Sequence, residues 1–211
     1  MEISLKQLCQ QLKIDDLTPM QKGVFEAANI ENDMLLISPT GSGKTIAFLL
    51  AMVKTWDEKK AGVKTVIVSP TRELAQQILS VFKAFGIPMK SLCAYGGHSI
   101  KSELQSLDPM PDLIVGTPGR ILDHLDRDSI DVSQLQSIIF DEFDKTLELG
   151  FHDEIKAILG FSKAQNMLFS SATELENFPD FIQLNNVKHI NYIKENKKVE
   201  FFGHVYEEEE K

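Results

Sequence analysis

The chain has 211 residues, 43% of them apolar and 25% charged, with a formal net charge of −9. That is ample material for one buried core and excludes a disordered or collagenous chain, while no apolar run approaches the roughly 20 residues of a membrane span. The acidic balance also excludes a protein that holds nucleic acid by a general basic field, so any such site has to be local, made from helix ends and a few arginines.

Four of the negative charges come from the glutamates at 207–210, which read as a solvated tail, leaving −5 for the rest. The first residues, Met1-Glu2-Ile3-Ser4-Leu5-Lys6, lack a cationic stretch leading into an apolar one, so no secretory signal is expected. Cys9 and Cys93 lie far apart without metal-ligand spacing. They are expected to be reduced packing residues of a soluble, cytoplasmic protein.

In chain order, Leu5, Leu8 and Leu12 recur at helical spacing and predict a short amphipathic helix over 4–13. Leu17-Thr18-Pro19-Met20-Gln21 opens a second helix, with Thr18 as N-cap and Pro19 at the first helical position. The apolar run Met34-Leu35-Leu36-Ile37 then leads into Ser38-Pro39-Thr40-Gly41-Ser42-Gly43-Lys44-Thr45 and a helical segment over 46–56. Strand, glycine-rich turn and helix in this register make a phosphate site, because Gly41 and Gly43 let several N–H groups converge where the helix dipole also favours an anion. In that reading Lys44 reaches the β- and γ-phosphates of a nucleoside triphosphate and the Thr45 hydroxyl holds magnesium. A turn that binds nothing is the bland alternative, and the agreement of all four features argues against it.

Short apolar runs recur at 65–68, 91–94, 113–115, 137–140 and 167–169, each followed by a turn and a helical pattern. Such strands, without polar alternation, suit a parallel sheet covered on both faces, an α/β three-layer domain whose ligands bind beyond the carboxyl ends of the strands. The residues at those ends are therefore the candidates. Asp141-Glu142-Phe143-Asp144 follows the run 137–140 and offers Asp141 as a metal group and Glu142 as a base that accepts the proton of an attacking water.

Pro70-Thr71-Arg72-Glu73 and Thr117-Pro118-Gly119-Arg120 each place threonine at a helix start with an arginine in the first turn. One such turn is most simply an N-cap beside a solvated arginine; two on one sheet edge make a row of anion sites fit for successive phosphates of a strand. Tyr95-Gly96-Gly97-His98 adds flexible backbone there, with His98 read as an ordinary surface histidine. Ser171-Ala172-Thr173 offers two hydroxyls that could bond to Asp144 or another carboxylate. Residues 186–206 read as a final strand followed by apolar residues, Phe201, Phe202, Val205 and Tyr206, in need of a partner.

Together and in this order, the segments resemble the first RecA-like domain of a DEAD-box RNA helicase, over roughly residues 4–193. The resemblance implies that residues 1–193 form the ATP-binding domain, a mostly parallel sheet with helices on both faces, and that 194–211 lead toward a second RecA-like domain. It implies ATP and Mg2+ as cofactors, with Thr18 and Gln21 in the adenine-reading element, Gln21 selecting ATP over GTP, and residues 40–45 around the phosphates. RNA-backbone contacts fall to Pro70, Thr71 and Arg72, to Gly96 and Gly97, and to Thr117, Pro118, Gly119 and Arg120. Coupling of hydrolysis to strand separation falls to Asp144, Ser171 and Thr173. An acidic chain is compatible with this, because the family grips one strand through a few oriented groups without reading bases.

Two residues depart from the pattern. Phe143 stands where the family's box has alanine, so a larger ring must pack near the coupling element, and no Phe, Tyr or Trp precedes Phe25 to stack on adenine, which leaves adenine selection to Gln21. The implied second domain would supply arginines that matter by about 10³–10⁵ in rate, so this chain alone is expected to bind nucleotide and barely hydrolyse it. The leading reading is the N-terminal half of an ATP-dependent RNA helicase; the alternative is a free-standing ATP-binding module that regulates an RNA complex without unwinding. A DNA-directed motor is disfavoured by Gln21 and by the 141–144 box. A monomer without membrane contact is expected.

Overall fold

The structure is a computed structural model that describes residues 5–97, 99–174 and 178–193. His98 and the segment 194–211, with its glutamates and the apolar residues expected to need a partner, lie outside the described residues. The first half of the chain forms α1 (Leu5–Leu12), α2 (Pro19–Ala27), β1 (Met34–Ile37), α3 (Lys44–Thr55), β2 (Thr65–Val68), α4 (Arg72–Ala84), β3 (Ser91–Ala94) and α5 (Ile100–Gln105). The second half forms β4 (Leu113–Gly116), α6 (Pro118–Asp126), β5 (Ser137–Phe140), α7 (Phe143–Glu148), α8 (His152–Phe161), β6 (Asn166–Ser171) and β7 (Lys188–Asn191).

The strands make one sheet in the order β3-β4-β2-β5-β6-β1-β7, and every neighbouring pair is parallel. β1, β2, β4 and β5 are buried at every position, as continuous apolar strands between two helical layers must be. Their side chains alternate between two cores. Leu36, Ile67, Val115 and Ile139 meet Val24, Phe48 and Ile78 of α2, α3 and α4 on one face. Leu35, Val66, Ile114 and Ile138 meet Ile121 and Ile155 of α6 and α8 on the other.

Local chemistry starts and stops the elements. At α2, the Thr18 hydroxyl accepts from the Gln21 amide at 3.3 Å and the Thr18 amide donates to Gln21 Oε1 at 2.9 Å, a reciprocal capping box with Pro19 in the first turn. Asp33, just before β1 and 3% exposed, accepts from the amides of Met167 and Asn185, each at 2.6 Å. One carboxylate thereby ties the entry of β1 to β6 and to the approach of β7. Burial raises its pKa, and the two amide bonds oppose that shift. Gly116 ends β4 where a β-carbon would lie 2.2 Å from the Ala94 carbonyl oxygen, so no other residue fits that approach. The segment that carries β2, β3 and β4 enters and leaves at one place, where the Val63 amide donates to the Asp131 carbonyl at 2.9 Å.

The alternation of strand and helix breaks after β6. Among the described residues none between β6 and β7 is helical, contrary to the helical pattern expected after residues 167–169. Pro179 lacks an amide for a helix, Ile182 closes a turn back to its carbonyl at 2.9 Å, and Phe178, Phe181, Ile182 and Leu184 pack on the second core instead. β7 adds an edge strand beside β1, at the start of the 186–206 stretch in which a final strand is expected.

Candidate functional site

The strand order sorts the carboxyl ends into two groups. Neighbours β5, β6 and β1 bring together residues 141–144, 171–173 and 38–45; neighbours β2, β4 and β3 bring together residues 70–72, 117–120 and 96–97. The groups meet between β2 and β5, where the Asp141 amide donates to the Val68 carbonyl at 2.9 Å.

In the first group the loop at 38–45 is held in shape by its own residues. Gly41 and Gly43 have φ of 78° and 89°, open to glycine and strained for others. Ser38 Oγ donates to Ser42 Oγ at 2.8 Å, and the Lys44 ammonium, 8% exposed, donates to the carbonyls of Ser38 at 2.6 Å and Pro39 at 3.1 Å. Thr40 and Gly41 are exposed at the crest, while Ser42, Gly43 and Thr45 are half-buried at the start of α3. Gln21 is 3% exposed and reaches the loop through Nε2, which donates to the Gly43 carbonyl at 3.3 Å. Its Oε1 serves the Thr18 amide, so one side chain joins the cap of α2 to the loop.

Asp141 and Glu142 face this loop from β5. Asp141 is 5% exposed and accepts from Ser170 Oγ at 2.6 Å; the same hydroxyl oxygen accepts the Glu142 amide at 3.3 Å. Burial pushes the Asp141 carboxyl up to about 6, with Glu142 adding to the shift and the Ser170 bond and Lys44 opposing it. Burial likewise lowers the pKa of Lys44, against the pull of Asp141, Glu142 and Asp144. Glu142 sits in the left-handed region, φ 46° and ψ 54°, a conformation that costs an L-residue roughly 1–2 kcal/mol. Its Oε2 is buried without a hydrogen bond, 3.5 Å from Lys145 Nζ. A buried acceptor with spare capacity beside a second carboxylate and an ammonium fits both a divalent cation and the proton of a water.

Asp144 closes the group. Its Oδ2 accepts from the amides of Ala172 and Thr173, each at 3.2 Å, and from Thr173 Oγ1 at 2.9 Å. Burial alone would raise its pKa, but these bonds and those from Lys145 and Ser171 outweigh it and hold the carboxyl below its usual value. The Ser171 hydroxyl turns back to the Thr173 carbonyl at 2.6 Å. Phe143 is fully buried between the two acids, its ring 4.8 Å from Phe169, 5.6 Å from Phe140 and 5.7 Å from Phe178. The large ring at this position is therefore accommodated by a cluster that reaches past Thr173.

The second group lines an open groove of about 730 Å³ formed by Pro70, Thr71, Arg72, Glu73, Gly96, Thr117, Gly119, Arg120, Asp123 and Phe151. Thr71 caps α4 by accepting from the Leu74 amide at 3.3 Å, whereas Thr117 stands at the same place before α6 with no side-chain cap bond. Arg72 is exposed, bonded to Glu73 at 2.5 Å, and lies 3.8 Å from where a β-carbon of Gly97 would be. That bond raises the Arg72 pKa. Arg120 is different: its side chain is 11% exposed and donates to the Tyr95 carbonyl at 3.1 Å. Pro118 is buried beneath the groove. A larger cavity of about 840 Å³, bordered by Lys54, Thr55 and Lys188, lies at the opposite end of the sheet and contains none of these groups.

Sequence reasoning missed Ser170, Phe151 and Asp123. Ser170 was hidden because β6 runs on to Ser171 rather than ending at Phe169; the Leu149-Gly150-Phe151 turn, with φ of 86° at Gly150, was the available signal for Phe151. Among the described residues no cluster of three or more histidine, cysteine or acidic side chains stands ready as a metal site, and no helix is long and apolar enough to cross a membrane.

The model of the DEAD/DEAH box helicase family matches residues 18–180. An ATP-dependent RNA helicase of Dictyostelium discoideum is 36% identical over 203 residues, which cover 90% of this chain and 19% of that protein. The ATP-dependent RNA helicase CshA of Listeria monocytogenes is 37% identical over 161 residues, 74% of this chain and 31% of its own. The chain thus spans about a fifth to a third of these relatives. Among solved structures, a DEAD box protein from the hyperthermophile Methanococcus jannaschii superposes with a TM-score of 0.79 at 27% identity, over 90% of this chain and 54% of that one. A hypothetical ATP-dependent RNA helicase from Sulfolobus tokodaii gives 0.77 at 30% identity, over 89% and 56%. With its RecA-like parallel sheet and a match across most of its length, the chain belongs to the DEAD/DEAH box helicase family.

Proposed function

We propose that this chain is the ATP-binding, N-terminal RecA-like half of an ATP-dependent RNA helicase, in which hydrolysis drives local separation of an RNA duplex. The observation that carries the reading is the convergence of Lys44 from the 38–45 loop with the buried Asp141 and the half-buried Glu142 from the end of β5. Asp141-Glu142-Phe143-Asp144 is read as a variant of the family's signature box, residues 1–193 as one domain, and 194–211 as the lead into a second.

ATP enters with its triphosphate at the 38–45 loop, and the Lys44 ammonium exchanges its two carbonyl partners for phosphate oxygens. Thr18 and Gln21 border the base, with the second proton of Gln21 Nε2 left for it. Thr45 and Asp141 are the residues that would hold Mg2+, which when bound supplies charge neutralisation at the phosphates. Glu142 Oε2, buried without a hydrogen bond, orients the attacking water and takes its proton as the water oxygen bonds to the γ-phosphorus and ADP leaves.

RNA lies along the other half of the edge, its phosphates and sugars against Pro70, Thr71, Arg72, Gly96, Gly97, Thr117, Pro118, Gly119 and Arg120. Asp144, Ser171 and Thr173 transmit the state of the nucleotide site, because Asp144 is bonded to the chain that leaves β6. Transition-state arginines are assigned to a second RecA-like domain, and the protein is read as a cytoplasmic monomer without membrane contact. The test is Glu142→Gln in the complete protein: ATP stays bound, while RNA-stimulated hydrolysis and duplex separation are lost. Turnover at the wild-type rate overturns the assignment of the base, and hydrolysis without any duplex separation overturns the helicase reading in favour of an ATP-binding module.

A further inference from the structure

We infer that Glu103 is a positioning residue for RNA binding, fixing from the interior both the Tyr95 backbone that leads into Gly96-Gly97 and the Arg120 side chain at the start of α6. The inference rests on the reading of the β2-β4-β3 edge as the RNA site.

Glu103 is 4% exposed although it belongs to a short surface helix, α5. Its two oxygens divide their work. Oε1 accepts the Tyr95 amide at 3.4 Å, while Oε2 lies 2.7 Å from His124 Nε2 and 3.6 Å from Arg120 Nε. His124 is fully buried on α6, with Nδ1 2.7 Å from Ser129 Oγ. Arg120, one turn earlier on α6, donates to the Tyr95 carbonyl at 3.1 Å and faces Asp123 at 3.5 Å. The Tyr95 hydroxyl in turn accepts from Gln76 of α4 at 2.8 Å.

Tyr95 is therefore gripped at its amide, its carbonyl and its hydroxyl by α5, α6 and α4. The next two residues are exposed glycines with no side chain to place them, so the position of their backbone is inherited from Tyr95. Taking a carboxylate, an imidazole and a guanidinium out of water is costly unless each finds partners, and apolar residues could fill the same volume. What apolar residues could not do is hold a loop backbone and an arginine in one register across three helices. Glu103 does not line the groove; it acts through Tyr95 and Arg120.

The experiment measures, in the complete protein, the concentration of oligouridylate that half-saturates ATP hydrolysis, the rate at saturating RNA, and the Kd of a fluorescent ATP analogue. Glu103→Ala is expected to raise the RNA half-saturation about tenfold, leaving the saturated rate and ATP affinity within about twofold. Glu103→Gln keeps an acceptor for Tyr95 but loses the charge facing Arg120 and His124, and gives an intermediate rise of about threefold. Should Glu103→Ala not fold, Glu103→Gln decides: wild-type RNA half-saturation in it overturns the inference. So does a parallel loss of RNA and ATP affinity, which marks a merely structural role. Arg72→Ala separates the two levels. If it too leaves RNA half-saturation unchanged, the RNA edge is misassigned; if it alone raises it, only the role of Glu103 fails.

Discussion

Gln21 and Gly43 compete for the same space: Gln21 Nε2 donates to the Gly43 carbonyl at 3.3 Å, and a β-carbon on Gly43 would lie 2.6 Å from that nitrogen. The cap of α2 and the 38–45 loop are thus in contact only because position 43 has no side chain.

Gly43→Ala is expected to weaken ATP binding by tenfold or more, because φ of 89° and the collision with Gln21 both oppose the loop. Gln21→Ala removes the loop contact together with half of the capping box, at about 1 kcal/mol of stability for the cap alone, and should also erase preference for ATP over GTP. Titration of fluorescent ATP and GTP analogues checks both. Wild-type affinity in Gly43→Ala would show that the loop binds nothing in this form.

Asp141 links pH to stability. Its folded pKa lies near 6, above the ordinary 3.8, so the unfolded chain releases this proton first as pH rises. Below about pH 4 the group contributes nothing; between about 4 and 6 the fold loses stability, by about 3 kcal/mol at the plateau for a two-unit shift. Asp141→Asn, which can still accept from Ser170, removes that loss. Without nucleotide and with EDTA, the Tm difference between variant and wild type should grow from near zero at pH 4 to several degrees at pH 7. A difference independent of pH would locate the effect elsewhere.

Phe143→Ala empties a site lined by Phe140, Phe169 and Phe178. Chemical denaturation should show a loss of about 3–5 kcal/mol. Phe143→Leu, which fills more of the volume, should lose less than half of that. Equal stability of the alanine variant and wild type would mean that the cluster closes over the gap.

Gly116→Ala places a methyl group 2.2 Å from the Ala94 carbonyl. Since Thr117 bonds that same oxygen through its amide at 3.0 Å, β3 and β4 have to separate there. A drop in Tm of several degrees is expected, with RNA binding weakened more than ATP binding. The reverse order would argue against the division of the edge.

The chemistry was legible in the sequence wherever it lay in a contiguous segment. Residues 38–45 and 141–144 carry their own signal, 171–173 only a weak one, and the apolar runs marked the strands to within two residues at either end. Strand order was not legible, because it depends on which helices cross which face and on contacts between residues far apart in the chain. Hence the separation of the edge into two neighbouring groups emerges only in three dimensions. Arg120 illustrates the same limit: an arginine in the first turn of a helix reads as free to meet an anion, yet its Nε is spent on the Tyr95 carbonyl, 25 residues away. Likewise nothing contiguous in the sequence marks Glu103 and His124, which the fold buries against each other.

The hydrogen bond from Val63 to Asp131 joins the two ends of the segment that carries β2, β3 and β4. Every residue lining the groove on this edge, apart from Phe151, lies between those two residues, and the chain crosses into this half once and returns once. In evolutionary and engineering terms residues 63–131 form a cassette with abutting ends. Exchanging it between relatives would move this half of the edge as one piece, with the seam to be matched running through the pairing of β2 with β5 and the packing of α6 on α8 and α4 on α3.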